Sequence, residues 1–287
     1  MVYVNGRLAG KLIIQVAPTG IVPSRIDTPY VPITPEEIAG DTHEAYKLGA
    51  SVVHIHARDD EGRPTHRVEA YEEIVSRIRK KCPGIIICVS TSGRMDPDIG
   101  HRSEALDLGP DMASLMMGCV NFSKNPSVNP IDTIQRLACA MNDRGIKPEL
   151  EIFEPGFINT AKYLAKKGYL KMPSHFNLLL GSLGSISADV RDLVYLVESL
   201  PPGCTWSASG IGRFHAQITA TAILMGGHVR TGIEDTLYYD HEKRELATNK
   251  GLVERAVRMA GELGRDIASP AEAREIMGLD KRSLKRR

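Results

Sequence analysis

Val52-Val53-His54-Ile55-His56-Ala57-Arg58-Asp59 is an apolar run that closes on two histidines two residues apart. Side chains alternate faces along a strand, so His54 and His56 point the same way, with Cα atoms roughly 6–7 Å apart. Two imidazoles so placed can grip one metal ion. The apolar residues before them read as a buried strand, which puts the pair at the end of a core element. A satisfied core or rim histidine needs no metal, so the reading turns on which residues fall beside the pair.

The same alternation of short apolar run and longer amphipathic run extends in both directions. Residues 11–17 (KLIIQVA) read as a strand, followed by a helix over 35–48 that Thr34 opens ahead of Pro35. The histidine strand spans 51–56 and leads to a helix over 68–80. Residues 84–90 (GIIICVS) form a wholly apolar third strand, as buried parallel strands tend to be. A fourth strand over 111–116 precedes a helix near 130–144, and a fifth over 148–153 precedes one over 158–167. Strands over 175–180, 205–208 and 228–231 are each followed by a helix, at 189–199, 214–225 and 249–263, and a last helix over 270–277 closes the series.

Eight β-α units without a linker-like break, in a chain of 287 residues, fit one TIM (β/α)8 barrel domain over 1–287. An open doubly wound sheet is the rival. Gly210-Ile211-Gly212-Arg213 resembles part of a dinucleotide loop, but it lacks the third glycine and comes late in the chain.

A formal net charge of +1 gives no electrostatic reason to expect nucleic acid. No stretch approaches the roughly 20 apolar residues of a membrane span, and the N-terminus lacks a signal-peptide apolar region. Cys82, Cys88, Cys119, Cys139 and Cys204 are scattered without a C-x-x-C pair, as expected of reduced thiols in a cytoplasmic protein. The basic end, Lys281-Arg282-Ser283-Leu284-Lys285-Arg286-Arg287, reads as a solvated tail.

Barrel active sites lie at the C-terminal ends of the strands. The polar residues expected there are Thr19 and Gly20 after strand one, His54 and His56, then Ser90 to Arg94 after strand three. Ser114, Glu149 and Glu151, Gly181 and Ser182, and Arg230 to Asp235 complete the rim. Catalytic zinc is commonly held by three protein ligands, with two His and a carboxylate among the usual sets, and the same donors also suit iron or manganese. Strands two and eight are one strand apart in a closed barrel, so Glu234 or Asp235 is the natural third ligand.

Thr19-Gly20, Pro32-Ile33-Thr34-Pro35-Glu36-Glu37, His54 to Asp59, Gly62-Arg63-Pro64, Ser90-Thr91-Ser92-Gly93, Gly210 to Arg213 and Gly226 to Asp235 occur in this order. In that series, the chain resembles the β-keto acid cleavage enzymes from about residue 11 to 278. The resemblance implies a zinc-dependent barrel that converts a β-keto acid and acetyl-CoA into acetoacetate and a new acyl-CoA. It implies His54, His56 and Glu234 as zinc ligands and Asp235 as the base that takes the C2 proton. Ser90, Glu151 and Arg230 fall on supporting positions, and Ser114 on a substrate-contacting threonine of the family. Thr19 and Gly93 fall in the substrate-binding loops. A homo-oligomer, a tetramer, is implied in the same way.

These residue types suit the chemistry. A metal chelated by the keto acid acidifies C2, which a carboxylate alone would deprotonate poorly. Arg230, four residues before Glu234, can orient Asp235 or serve only as a rim ion pair. Ser90 can donate a hydrogen bond to developing oxyanion charge. Gly210, Gly212 and Arg213 stand where barrels often bind phosphate, and so are expected to meet coenzyme A; tight turns explain the glycines equally well.

One departure concerns the substrate. Family members that cleave an aminated keto acid carry a Glu just after Thr-Gly-Ala, where this chain reads Thr19-Gly20-Ile21-Val22. Val22 cannot pair with an ammonium group, and leaving one unpaired in a buried site is costly. The expected acyl chain is therefore uncharged or apolar. Two other functions remain open: a metal-dependent hydrolase or aldolase on the same barrel, and a catalytically silent barrel that binds metal or acyl-CoA.

Overall fold

The computed structural model describes residues 10–279, together with the backbone of a short antiparallel pair, Tyr3–Val4 and Arg7–Leu8. Eight parallel strands close into a barrel: β1 (Ile14–Val16), β2 (Val52–Ile55), β3 (Ile86–Val89), β4 (Met112–Met116), β5 (Lys147–Ile152), β6 (His175–Leu180), β7 (Thr205–Gly210) and β8 (His228–Thr231). They neighbour one another in chain order, with β8 paired to β1 through Arg230 opposite Gln15. This closure excludes the open doubly wound sheet.

The helices wrap the outside: α1 (Pro35–Lys47), α2 (Val68–Lys81), α3 (Ile99–Ser103), α4 (Ile131–Asp143), α5 (Pro155–Lys166), α6 (Val190–Ser199), α7 (His215–Leu224), α8 (Asn249–Glu262) and α9 (Pro270–Met277). Thr34 caps α1 by accepting a hydrogen bond from the Glu37 amide, while the Glu37 carboxylate accepts from the Thr34 amide in return. Ser269 and Glu272 repeat that box at α9, again with proline just inside the helix.

Apolar side chains divide between two spaces. The larger one lies between barrel and helices, where residues such as Val53, Ile55, Ile87 and Val89 meet Ile74, Ile78, Ile134 and Leu137. The smaller fills the lower barrel interior with Ile13, Val52, Ile86, Cys88 and Met112, which meet Ala268, Ala273 and Met277 at α9. The last helix thus plugs the N-terminal mouth. Among the described residues, the opposite end carries the cavity, as the barrel reading expects.

Three local differences from the sequence reading have physical reasons. The first strand is shorter, because Leu12 pairs with the segment before α9 rather than with a barrel neighbour. The seventh strand runs two residues further, to Gly210, where a bare Cα leaves room for the Phe214 carbonyl. Between β3 and β4 lie α3, capped by Asp98, and a 3₁₀ turn over Glu104–Leu108, both too short to show a helical period. The basic tail lies outside the described residues. No described helix is long and apolar enough to cross a membrane.

Candidate active site

His54 and His56 leave the end of β2 on the same face, with their Nε2 atoms 3.2 Å apart. Glu234, after β8, closes the group: its Oε1 is 3.3 Å from His56 Nε2 and its Oε2 is 3.8 Å from His54 Nε2. Two ring nitrogens and a carboxylate converge, and the buried Glu234 Oε2 has no hydrogen-bond partner. A cation is the natural occupant for three electron-pair donors facing one point. Ligands about 2 Å from a tetrahedral ion lie roughly 3.3 Å apart, which fits this donor set. Burial above all holds the His54 imidazole neutral, the state a metal ligand requires.

The other edge of the His54 ring faces inward. His54 Nδ1 lies 3.7 Å from Glu149 Oε2, and Cys88 is close enough to make a second possible ligand set with these two. Gln15 donates to Glu149 Oε1 at 2.7 Å, which fixes that carboxylate below the histidine.

Asp235 stands beside the donor set and is held from three directions. Arg230 Nε and Nη2 donate to its two carboxylate oxygens at 3.1 and 3.0 Å, and Ser209 Oγ donates to Oδ2 at 2.8 Å. The same Arg230 Nη2 meets Glu234 Oε1 at 2.7 Å. Burial raises the Asp235 pKa and the Glu234 charge adds to the rise, against the pull of Arg230 and Ser209. Glu234 goes the opposite way. Burial pushes its carboxyl up, but Arg230, His56 and His54 outweigh that and hold it well below the usual range. One carboxylate is thereby kept as a firm anion and its neighbour tuned as a stronger base.

Glu151, at the end of β5, lies 3.7 Å from Arg230 Nη1. Its pKa rises to about 8, chiefly through burial and also through the charges of Glu149, Glu234 and Asp235. That favours its protonated form near neutral pH while the site holds no ion.

Backbone geometry explains how β8 delivers these groups. Gly232 has φ +154°, and a Cβ there would lie 2.0 Å from the Ala17 carbonyl oxygen, so the chain turns against β1 only as glycine. The Glu234 amide then donates to Ala17 O, and the Asp235 carbonyl accepts from the Gly212 amide. Arg58 donates to the carbonyls of Gly20 and Pro23 at 2.7 and 2.9 Å, pinning the β1 loop over the site.

A cavity of about 510 Å³ opens above this cluster. His56, Ser90, Glu151, Arg230, Glu234 and Asp235 line it together with Val22, Gly212 and Arg213, while His54 lies directly beneath. The structure therefore gathers most of the sequence-derived set. Ser114, Thr19, Gly93 and Gly210 lie outside the lining. Ser114 Oγ accepts from the Thr91 amide, and Gly93 is bare because a Cβ would strike the Arg102 guanidinium.

Phe122 and Lys243 are among the lining residues that the sequence reading does not place at the site, whereas Arg94 is expected on the rim but given no role. All lie in loops, where no period marks them. Ser209 escapes for a different reason, since it belongs to the two residues by which β7 exceeds its expected length. Its two-residue spacing from the inward Ser207 was the available signal.

The family described as beta-keto acid cleavage enzyme matches residues 11–279. The 3-keto-5-aminohexanoate cleavage enzyme of Fusobacterium nucleatum is 45% identical over 273 residues, covering 94% of this chain and 99% of that protein. The 3-oxoadipate:acetyl-CoA acetyltransferase of Cupriavidus necator is 37% identical over 271 residues, covering 93% of this chain and 94% of that one. A solved structure of ObcA matches with a TM-score of 0.78 at 23% identity, covering 88% of this chain and 68% of that one, a likeness of fold. The match spans the β1 loop, the histidine strand and the β8 turn alike, and on it the chain belongs to the beta-keto acid cleavage enzyme family.

Proposed function

We propose that this protein is a metal-dependent enzyme, with zinc as its ion, that converts a β-keto acid and acetyl-CoA into acetoacetate and a new acyl-CoA. The observation that carries the reading is the convergence of His54, His56 and Glu234 beside an Asp235 held by Arg230 and Ser209. Relatives named for keto-acid cleavage and for acetyl-CoA acetyl transfer support it.

His54, His56 and Glu234 would hold the ion, which when bound would supply the Lewis acidity that acidifies C2 of the keto acid. Asp235 takes the C2 proton, oriented for it by the Arg230 fork and the Ser209 hydroxyl. C2 then bonds to the thioester carbon of acetyl-CoA, and the coenzyme thiolate passes to the former ketone carbon. Breaking the C2–C3 bond leaves the acyl-CoA, and Asp235 returns its proton to C2, which gives acetoacetate. Ser90 Oγ accepts from the Ser92 amide, which leaves its own proton to donate to oxyanion charge in the cavity. Neutral Glu151 is a second proton donor on that wall. Gly212 and Arg213 stand at the cavity edge on the β7 side, where the phosphates of coenzyme A would be met.

The acyl chain carries no ammonium group and is apolar where it passes Ile21 and Val22. The carboxylates among the described lining residues are Glu151, Glu234 and Asp235, all in the catalytic cluster, so an ammonium group further out finds no anion. Zinc-loaded protein given acetyl-CoA should form acetoacetate from 3-oxohexanoate faster than from 3-keto-5-aminohexanoate. Faster turnover of the aminated acid overturns the substrate reading. Product without acetyl-CoA points to a hydrolase, and no product across a keto-acid panel points to a silent barrel.

A further inference from the structure

Arg94 stands in the cavity wall with guanidinium donors that no described residue satisfies. It follows β3, half-buried, and its Nε donates to the Asn125 carbonyl at 3.2 Å. Its guanidinium carbon lies 4.4 Å from the centroid of the Phe122 ring, and Phe122 packs edge-on against Phe153 at 5.2 Å between centroids. The fork is therefore fixed by one hydrogen bond and one stacked ring. Its two terminal nitrogens make no hydrogen bond, and among the described residues no carboxylate lies within ion-pair distance of it.

The contrast with Arg230 is informative. That arginine, deeper in the same cavity, meets Asp235, Glu234 and Glu151. A guanidinium is the side chain best suited to a planar two-oxygen partner, and one held rigid in a cavity wall with free donors awaits such a partner. Withdrawing it from water without a counter-ion is a cost that ligand binding would recover.

The C1 carboxylate of the keto acid belongs with the ion site, which leaves two anions on the reactants for the role: a phosphate of coenzyme A or a second carboxylate on the acyl chain. Topology separates them. Arg213 follows β7, and in the barrel order β7-β8-β1-β2-β3 that strand is diametrically opposite β3. The phosphate side of the mouth is therefore the far side from Arg94. Arg94 instead shares its side with Ser90 and the apolar Phe122 and Met116, a wall for methylene groups that ends in a cation.

We propose that Arg94 is a specificity-determining residue that binds a second carboxylate at the far end of the acyl chain, so the preferred substrates are β-keto dicarboxylates. This rests on the reaction assigned above and narrows its substrate. This departs from the uncharged chain expected from Val22: the acyl chain is apolar past Ile21 and Val22 but anionic at its tip. The distal carboxylate is a spectator in the bond changes and leaves with the new acyl-CoA.

The test is kcat/KM for length-matched pairs, beginning with 3-oxoadipate and 3-oxohexanoate and extended one methylene either way, in the wild-type protein and in Arg94→Met and Arg94→Lys. The best dicarboxylate should exceed its monocarboxylate partner by about 10–100-fold in the wild type, the range for a charge-assisted pair. Arg94→Met should bring that ratio close to unity through the KM for the keto acid, and Arg94→Lys should restore part of it. The inference fails if the wild type prefers the monocarboxylate at every length. It also fails if Arg94→Met raises the KM for acetyl-CoA and slows both acids equally, which would give Arg94 to a phosphate. Turnover of 3-oxohexanoate by the wild type tests the reaction itself, so failure of the reaction and failure of the Arg94 role are told apart.

Discussion

Gly20 presses directly on Glu234: a Cβ added at residue 20 would lie 2.6 Å from Glu234 Cγ and 3.0 Å from its Cβ. The β1 loop thus sets where the carboxylate ligand can stand. Gly20 also has φ +64°, so a side chain there is strained even before the contact is counted. Gly20→Ala is expected to displace Glu234 and weaken metal binding by at least about tenfold, with about 1–2 kcal/mol of backbone strain on top. Metal titration and thermal melting separate the two effects. Wild-type metal affinity in the variant would show that the loop yields instead.

Asp235 is assigned as the base, not as a ligand. Asp235→Asn keeps the shape and one acceptor for Arg230 and Ser209, so the donor set beside it should persist. The expected result is a bound ion retained with kcat lowered by about 10²–10⁴-fold, the range for removal of a general base. Turnover within a few-fold of wild type would remove Asp235 from the proton transfer.

His54 faces one possible ligand set through Nε2 and another through Nδ1, and the two make opposite predictions. His54→Ala should abolish metal binding under either. Cys88→Ser should leave metal affinity unchanged if the ion sits with His56 and Glu234, and lower it strongly if it sits with Cys88 and Glu149. Elemental analysis of both variants after dialysis reads the difference directly. Because Cys88 lies in the barrel interior among Ile86 and Met112, a melting curve is needed to confirm that the serine protein is folded.

The barrel is legible because its signals are local. Short apolar strands, as in Ile85-Ile86-Ile87, alternate with longer amphipathic runs, and eight such repeats fit a barrel better than an open sheet. His54, His56, Ser90, Glu151 and Glu234 are legible because they sit at or just beyond strand ends, which the fold brings to one rim. Phe122 and Lys243 are not, since loop residues reach the cavity by a path that no period encodes. Gly20 is least legible of all. Its role is a contact with a residue at the far end of the chain, and in sequence it reads only as a turn.

Glu151 carries the clearest pH signature. Its carboxyl ordinarily titrates near 4.5 and is raised to about 8, first by burial and then by Glu149, Glu234 and Asp235, with Arg230 the one opposing charge. A folded-state pKa above the unfolded value means that the folded protein holds the proton more tightly. That contribution to stability is fully present below about pH 4.5 and is lost as pH rises through about 8. In chelator-treated protein, where no ion adds its charge, Tm should fall between pH 6 and 9. Glu151→Gln should flatten that fall, recovering on the order of a few kcal/mol at the alkaline end. The same proton serves catalysis in the reading above, so wild-type kcat/KM should show an alkaline limb, which the charge of a bound ion moves below the ion-free value, and the glutamine variant should lose that limb. Melting profiles of the two proteins that run parallel from pH 6 to 9 would mean that Glu151 is already ionised at neutral pH, and its place as a proton donor would go with it.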